Sequence, residues 1–124
     1  MTAKPRTLPP CPDKPNCVSS QAPPDDAQHF IKPLSVTGDP GTAWESLRRA
    51  LAAMPRTRIV EDTGEYLHAE ATSLVFRFVD DLECALDRPK SLIHMRSASR
   101  VGYSDFGVNR KRVEKLRLLM AGKA

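Results

Sequence analysis

The clearest pattern of apolar positions in the chain predicts an amphipathic helix. Apolar side chains recur at intervals of three and four residues, which places them on one helical face: Trp44, Leu47, Leu51 and Met54. Thr42 is followed three residues later by Glu45, the spacing of a capping box, so we expect the helix to begin at Thr42. Pro55 should end the helix near Met54, because the residue before a proline disfavours helical geometry.

Between residues 56 and 99 the pattern changes to an alternation of apolar and polar positions, which predicts β-strands. We expect strands at 57–61 and 66–72, joined by a turn at 62–65. A further strand alternates around Leu82, Cys84 and Leu86, after a run at 74–79 that is apolar except for Arg77. A turn at 87–90 then leads into a strand at 91–97. These residues predict an antiparallel meander of four strands.

The register of the last hairpin can be predicted from its charged and apolar residues. With the turn at 87–90, Cys84 lies opposite Ile93, and Asp81 lies opposite Arg96. A slip of one residue would turn every side chain to the other face of the sheet. Cross-strand pairs of opposite charge stabilise a sheet, so we expect contact between Asp81 and Arg96.

A second helix is predicted at 109–120, where four apolar residues share one face: Val113, Leu116, Leu119 and Met120. Asp105 or Asn109 can cap its start, and Gly122 follows its end. A short strand near 30–36 precedes the first helix. The order strand, helix, four strands, helix predicts an α+β fold, in which a curved antiparallel sheet of about five strands carries both helices on one face.

The 124 residues suit one domain, preceded by a Pro-rich segment. Residues 1–28 have few apolar side chains, so we expect an extended N-terminal arm there and a single α+β domain at 29–124. No apolar run approaches the ~18 residues of a transmembrane helix, and residues 1–10 lack the apolar stretch of a signal peptide. We expect a cytoplasmic location; the alternative is an exported or membrane-associated protein whose leader is missing.

The net charge of +4 combines two opposite contributions. Residues 1–87 carry 9 basic and 13 acidic side chains, whereas residues 88–124 carry 10 basic and 2 acidic ones. The positive charge therefore lies on the predicted last strand, loop and helix, where it suits an acidic partner. Nucleic acid is disfavoured as a partner, because the sequence has neither a helix-turn-helix pattern nor an RNA-binding motif.

Cys11 and Cys17 are separated by a short segment that contains two prolines. The two residues either form a disulfide, which would constrain the arm, or remain a pair of reduced thiols, which the cytosol favours. A zinc site completed by His29 is disfavoured, because a fourth ligand and paired CxxC spacing are absent. We therefore predict no metal and no cofactor.

The segment at 96–112 supplies candidate ligand-binding residues. Its glycines, Ser104 and Asp105 are explained by a turn and a helix start. Arginines and hydroxyls beside a helix N-terminus also suit a phosphate or carboxylate. The candidate residues for binding a ligand or partner are Arg96, Ser97, Ser99, Arg100, Tyr103, Asp105, Asn109 and Arg110.

Three segments together resemble a known family: residues 11–20 (CPDKPNCVSS), 76–81 (FRFVDD) and 96–112 (RSASRVGYSDFGVNRKR). They resemble a bacterial and plastid family of uncharacterised proteins, the domain of unknown function family 1499. The resemblance covers roughly residues 11–120 and implies a single compact α+β domain. It implies no activity, so no catalytic residue is carried over.

The sequence favours a non-enzymatic interaction or accessory protein, because it contains no recognisable catalytic constellation. In this interpretation the basic loop and helix, together with the N-terminal arm, dock onto a protein partner that the sequence does not identify. The alternative is a carrier or enzyme that acts on a small anionic ligand (a phosphate, a carboxylate or a lipid) in the cleft between sheet and helix.

Overall fold

The strands of the chain form one antiparallel sheet that carries two helices. A computed structural model describes residues 6–102 and 105–122. Its elements are, in chain order, β1 (Cys17–Ser19), β2 (Leu34–Ser35), α1 (Pro40–Ala53), β3 (Thr57–Asp62), β4 (Tyr66–Thr72), β5 (Val79–Asp87), β6 (Leu92–Ser99) and α2 (Val108–Met120). The strand order is β1-β6-β5-β4-β3, and β2 pairs with another part of β6. The predicted α+β fold is confirmed, with six strands where about five were expected.

Alternate residues of β4, β5 and β6 form the apolar face of the sheet. This face and the apolar stripes of α1 and α2 build one core, whose largest fully buried side chains are Leu47, Leu51, Leu67, Leu82, Ile93, Met95, Val113 and Leu116. Both helices therefore pack on the same face of the sheet, as predicted. Neither helix of the described residues has the length and apolar character needed to cross a bilayer.

The first helix begins two residues earlier than the capping box predicted. Asp39 is its N-cap, and the Asp39 Oδ2 accepts a hydrogen bond from the Thr42 backbone N–H at 2.8 Å. Pro40 can occupy the first turn because that position needs no N–H donor. Glu45 is consequently released from capping, and its carboxylate pairs with Arg48 at 3.0 Å.

The predicted register of the β5–β6 hairpin is wrong by two residues. Asp87 ends β5 opposite Leu92, so the turn is formed by residues 88–91, where Ser91 has a left-handed φ of 53°. Arg96 then lies opposite Glu83, and Asp81 lies opposite Ala98. A shift of two residues preserves the faces, which is why the predicted core side of the hairpin is correct although the contact between Asp81 and Arg96 is not formed.

Part of the predicted N-terminal arm lies on the sheet. β1 pairs with the end of β6, and Leu8 packs with Tyr66 and Ala85 on the face opposite the helices. The guanidinium of Arg6 lies 3.6 Å from the centre of the Tyr66 ring, in cation–π contact. The division of the chain into an arm and a domain at residue 28 stays a prediction.

A disulfide joins Cys11 to Cys17 at the start of β1. It closes a loop with a sequence separation of 6 and ties the segment that carries Leu8 to the sheet. Cys17 is fully buried, whereas Cys84, the third cysteine, is a free thiol in the core.

His29 attaches the disulfide loop to the segment before β2. Its Nδ1 lies 2.7 Å from the Asp26 carboxylate and its Nε2 lies 2.9 Å from the backbone oxygen of Lys14. Both oxygens only accept hydrogen bonds, and the protonated ring can donate to both of them. The hydrogen bond to Asp26 raises the pKa of His29 above its ordinary value, although burial opposes the shift.

We predict that Cys11→Ser lowers the free energy of unfolding by about 2 kcal/mol, because the unfolded chain loses the constraint of the closed loop. Cys11 is the better residue to replace, since it is partly exposed whereas Cys17 is fully buried. Urea unfolding measures the change. A reductant should destabilise the wild type by the same amount as the substitution does, and it should leave the variant unaffected. Equal stability of the wild type and the variant without reductant would contradict the prediction.

The His29 contacts predict a stability that falls at alkaline pH. A raised pKa in the folded state gives stability that is fully present below the ordinary value of 6.5 and is lost as the pH rises through the folded-state pKa. Urea unfolding between pH 5.5 and 9 should therefore show a decline for the wild type that is absent from His29→Gln. Parallel pH profiles for the two proteins would exclude this role of the imidazolium.

Candidate functional site

The N-cap of α2 is Gly107, neither of the two predicted capping residues, but the carboxylate of Asp105, one of those two, binds the helix start. Asp105 accepts hydrogen bonds from the backbone N–H groups of Gly107 at 2.8 Å and Asn109 at 3.0 Å. Burial alone would raise the pKa of Asp105, but these hydrogen bonds and one from the Asn109 side chain hold it below its ordinary value. The positive end of the helix therefore already faces an anionic group of the chain itself.

Asn109 is fully buried and connects α2 with β6 and the segment before β1. Its side-chain nitrogen donates to the backbone oxygen of Asn16 at 3.1 Å and to the Ser99 Oγ at 3.0 Å. Its Oδ1 accepts a hydrogen bond from the Ser97 Oγ at 2.6 Å. Because water does not reach these groups, their partners within the protein are essential.

Arg112 completes this buried network, although the sequence analysis did not single it out. Its guanidinium donates to Asn109 Oδ1 at 2.7 Å, to Ser97 Oγ at 3.1 Å and to Asp80 Oδ2 at 2.8 Å. The Arg112 and Asp80 side chains are only 12% and 13% exposed. The spacing of three between Asn109 and Arg112, one helical turn, is the sequence signal that indicates a shared environment.

Arg110 and Arg117 bind backbone oxygens instead of projecting into solvent. Arg110 donates to three backbone oxygens between residues 27 and 30, at 3.0–3.3 Å. Arg117 donates to the backbone oxygens of residues 32 and 33, at 2.7 and 2.9 Å. Much of that segment is irregular, and its carbonyl groups need donors from outside it. The two arginines therefore fix the segment to α2.

Arg100 lies on the polar face of the sheet, away from the core. Its guanidinium donates to both carboxylate oxygens of Asp81 at 2.8 Å and to Glu70 Oε2 at 2.6 Å. The His68 Nε2 lies 2.7 Å from the Asp81 Oδ1. These hydrogen bonds from Arg100 hold the pKa values of the Asp81 and Glu70 carboxyls below their ordinary values.

Arg96 lies on the same polar face, under the N-terminal segment. Its guanidinium is 3.5 Å from Glu83 Oε1 and 3.4 Å from the backbone oxygen of Pro10. The Tyr66 hydroxyl donates to the other oxygen of Glu83 at 2.6 Å, and burial together with this bond raises the pKa of Tyr66. The N-terminal segment thus contacts this part of the polar face.

Two groups of residues have the donor atoms of a metal site. His68, Glu70 and Asp81 offer ligand atoms within 4.8 Å of one another, but the Arg100 guanidinium already bonds both carboxylates, so a cation would have to displace it. The second group is the zinc site considered from the sequence, Cys11, Cys17 and His29. Its ligand atoms are already engaged, because the two cysteine sulfurs form a disulfide and both ring nitrogens of His29 are hydrogen-bonded.

The predicted binding residues lie in three separate places. Ser97, Ser99, Asp105 and Asn109 form the buried network at the start of α2, Arg96 and Arg100 lie on the polar face of the sheet, and Arg110 binds the 27–30 segment. Tyr103 lies outside the described residues. The structure does not bring these side chains to one point, so joint binding of an anion by them stays a prediction.

The most exposed apolar segment is the loop between β4 and β5, which the sequence analysis did not identify as a site. We call residues 73–78 the apolar loop. Its four large side chains are 67%, 76%, 74% and 53% exposed: Leu74, Val75, Phe76 and Phe78. The rings of Phe76 and Phe78 stack with centroids 5.6 Å apart. The apolar run at 74–79 therefore leaves the sheet before β5 begins at Val79.

Two arginines accompany the apolar loop. Arg77 is exposed within it, and Arg56 donates to the Thr72 backbone oxygen at 3.1 Å, at the base of the loop. Neither guanidinium pairs with a carboxylate among the described residues. Val101, which is 54% exposed, lies beside the base, because the preceding residue donates its backbone N–H to the Val79 oxygen.

We predict that Asn109→Ala lowers the free energy of unfolding by about 3 kcal/mol, because it leaves several buried polar atoms without partners. Lys111→Ala is the matched control: Lys111 is an exposed residue of the same helix, and its replacement should change stability by less than about 0.5 kcal/mol. Denaturant unfolding measures both. A loss below about 1 kcal/mol for Asn109→Ala would mean that the network does not stabilise the fold.

Comparison with known proteins agrees with the resemblance inferred from the three sequence segments. No curated protein and no solved structure matches the chain. The family described as protein of unknown function (DUF1499) matches residues 7–120, which include β1, the apolar loop and α2. The chain belongs to this family, the DUF1499 proteins of unknown function.

Proposed function

We propose that this chain is a non-enzymatic interaction module and that it docks through the apolar loop. The exposure of four neighbouring large apolar side chains on residues 73–78 carries the proposal. Such side chains contribute nothing to the core, and a contiguous exposed apolar patch is typical of an interaction surface. The last three residues of the loop, 76–78, also belong to the FRFVDD segment at 76–81, one of the three that carry the family resemblance.

This surface differs from the one expected from charge alone, the basic loop and helix together with the N-terminal arm. Arg110, Arg112 and Arg117 are engaged in bonds within the fold, which leaves Lys111 and Lys115 as exposed cations of α2. The arm is engaged as well, because Leu8 is buried against the sheet. These contacts support the apolar loop, rather than the basic helix, as the docking element.

A carrier or enzyme that acts on a small anionic ligand is the second candidate, and a cavity of about 430 Å³ between β2, α1 and α2 favours it. Hydroxyl groups line the cavity, and Arg117 is the cationic side chain among its lining residues. The guanidinium of Arg117 is already bonded to two backbone oxygens, which reduces its capacity to bind such an anion. Cys84 is a poor nucleophile for an enzyme, since burial raises the pKa of its thiol.

The Cys11–Cys17 disulfide supports the alternative location, an oxidising compartment outside the cytosol, because cytosolic thiols are kept reduced. In the cytoplasmic location expected from the sequence, Cys11 and Cys17 would instead be free thiols. The apolar loop can dock in either compartment, since it contains no cysteine.

Affinity capture from an extract of the native host tests the proposed function. The bait proteins are the wild type, the variant Leu74→Ser/Phe76→Ser/Phe78→Ser, and the control Val60→Ser/Leu118→Ser, whose residues are 40% and 48% exposed elsewhere on the surface. We expect the loop variant to lose bound protein or lipid that the wild type and control both retain. All three should unfold at similar temperatures, because exposed side chains contribute little to stability.

Capture that is identical for all three baits would overturn docking through the apolar loop. Phosphorylated or carboxylated metabolites that stay bound to all three, and that raise the melting temperature of each, would instead favour the cavity between the helices.

A further inference from the structure

We propose that the partner of the apolar loop is the surface of an anionic lipid bilayer. This inference rests on the proposed function, because it names the partner of the same docking element. In the bound state Leu74, Val75, Phe76 and Phe78 enter the interface between headgroups and acyl chains. Arg77 and Arg56 remain at the level of the lipid phosphates, where their charge is attracted to the membrane.

The shape of the apolar loop supports this partner. Ser73 and Phe78 close its base with two hydrogen bonds, from the Ser73 N–H to the Phe78 backbone oxygen at 2.8 Å and from the Phe78 N–H to the Ser73 Oγ at 2.9 Å. The residues between these two bonds continue beyond the last paired residues of β4 and β5, and their large apolar side chains are exposed. A bilayer interface can deform around such an exposed apolar tip.

The position of the loop in the sheet makes such insertion possible without rearrangement of the fold. β4 and β5 pair in continuous register from Tyr66 opposite Ala85 to Thr72 opposite Val79. The apolar loop continues directly from the last of these pairs, so its base is held by the sheet. Insertion of the tip would therefore bury exposed apolar surface while the core stays intact.

The charges around the loop select an anionic surface. Residues 73–79 include Arg77 and no acidic residue. The next two residues are acidic, but Asp80 pairs with Arg112 at 2.8 Å and Asp81 pairs with Arg100 at 2.8 Å. Each of these carboxylates is therefore balanced by its own partner. The unpaired charge beside the tip is positive, and anionic lipids complement it.

Vesicle co-sedimentation with the full chain tests the inference. The probes are vesicles of phosphatidylcholine alone and vesicles that contain a third phosphatidylglycerol. We expect the wild type to bind the anionic vesicles at least tenfold more tightly than the neutral ones. Phe76→Ser/Phe78→Ser should weaken this binding at least tenfold, and Arg77→Gln roughly fivefold, the effect of one cation near an anionic membrane.

Two control variants remove the same kinds of side chain, a cation and a large apolar group, from positions away from the apolar loop. Lys90→Gln removes an exposed cation from the β5–β6 turn, at the opposite end of the sheet from the apolar loop. Leu118→Ser removes an exposed apolar side chain near the far end of α2. Both should bind the anionic vesicles as the wild type does. In a Phe76→Trp variant the added indole should shift its emission to shorter wavelength on binding, because the tip leaves water.

Equal binding of the wild type and Phe76→Ser/Phe78→Ser to anionic vesicles, or no binding by the wild type, would overturn the lipid inference. The affinity capture could still show that the loop variant loses a protein that the wild type retains. In that case the proposed function would stand, and the partner would be a protein with an acidic-rimmed groove. If capture were also independent of the loop, the lipid inference and the proposed function would both fail.

Discussion

The need to cover one apolar face of β4, β5 and β6 determines the arrangement of the other elements. Along these strands every second side chain is buried in the core, and Leu67, Leu82 and Ile93 have no exposed surface. An apolar face of this size must be shielded from water, so α1 and α2 both pack on it. The same alternation places His68, Asp81, Glu83 and Arg96 on the opposite face, where they pair with one another or with neighbouring residues.

The uneven distribution of charge is explained by pairing between the two parts of the chain. The basic residues after position 87 meet acidic residues from the preceding strands: Arg96 meets Glu83, Arg100 meets Asp81 and Glu70, and Arg112 meets Asp80. Arg110 and Arg117 bind carbonyl groups that the irregular 27–33 segment leaves without strand partners. A charge asymmetry that suggests an acidic partner is thus largely balanced within the fold.

The sequence predicts what depends on periodicity and misses what depends on single contacts. The α1 stripe and the core side of β4–β6 follow from spacing, because a side chain's face depends on its position in the repeat. The N-cap at Asp39 and the turn at 88–91 depend on individual hydrogen bonds and on the φ of Ser91, so the predicted helix start and the predicted hairpin register are each wrong by two residues. Most predicted binding residues form hydrogen bonds with distant parts of the chain. These partners could not be predicted from the neighbouring positions in the sequence.

The apolar loop is a second place where the sequence pattern is misleading. A largely apolar run usually predicts a buried strand, because burial is the commonest reason for such a run. Here Ser73 closes the hairpin early, Arg77 adopts a left-handed φ of 59°, and the apolar side chains between them stay exposed among the described residues. The arginines suggested binding and largely stabilise the fold, whereas the large apolar residues of the loop lie on the surface. Exposed apolar side chains on a firmly held hairpin are therefore stronger evidence for docking in this protein than its positive charge.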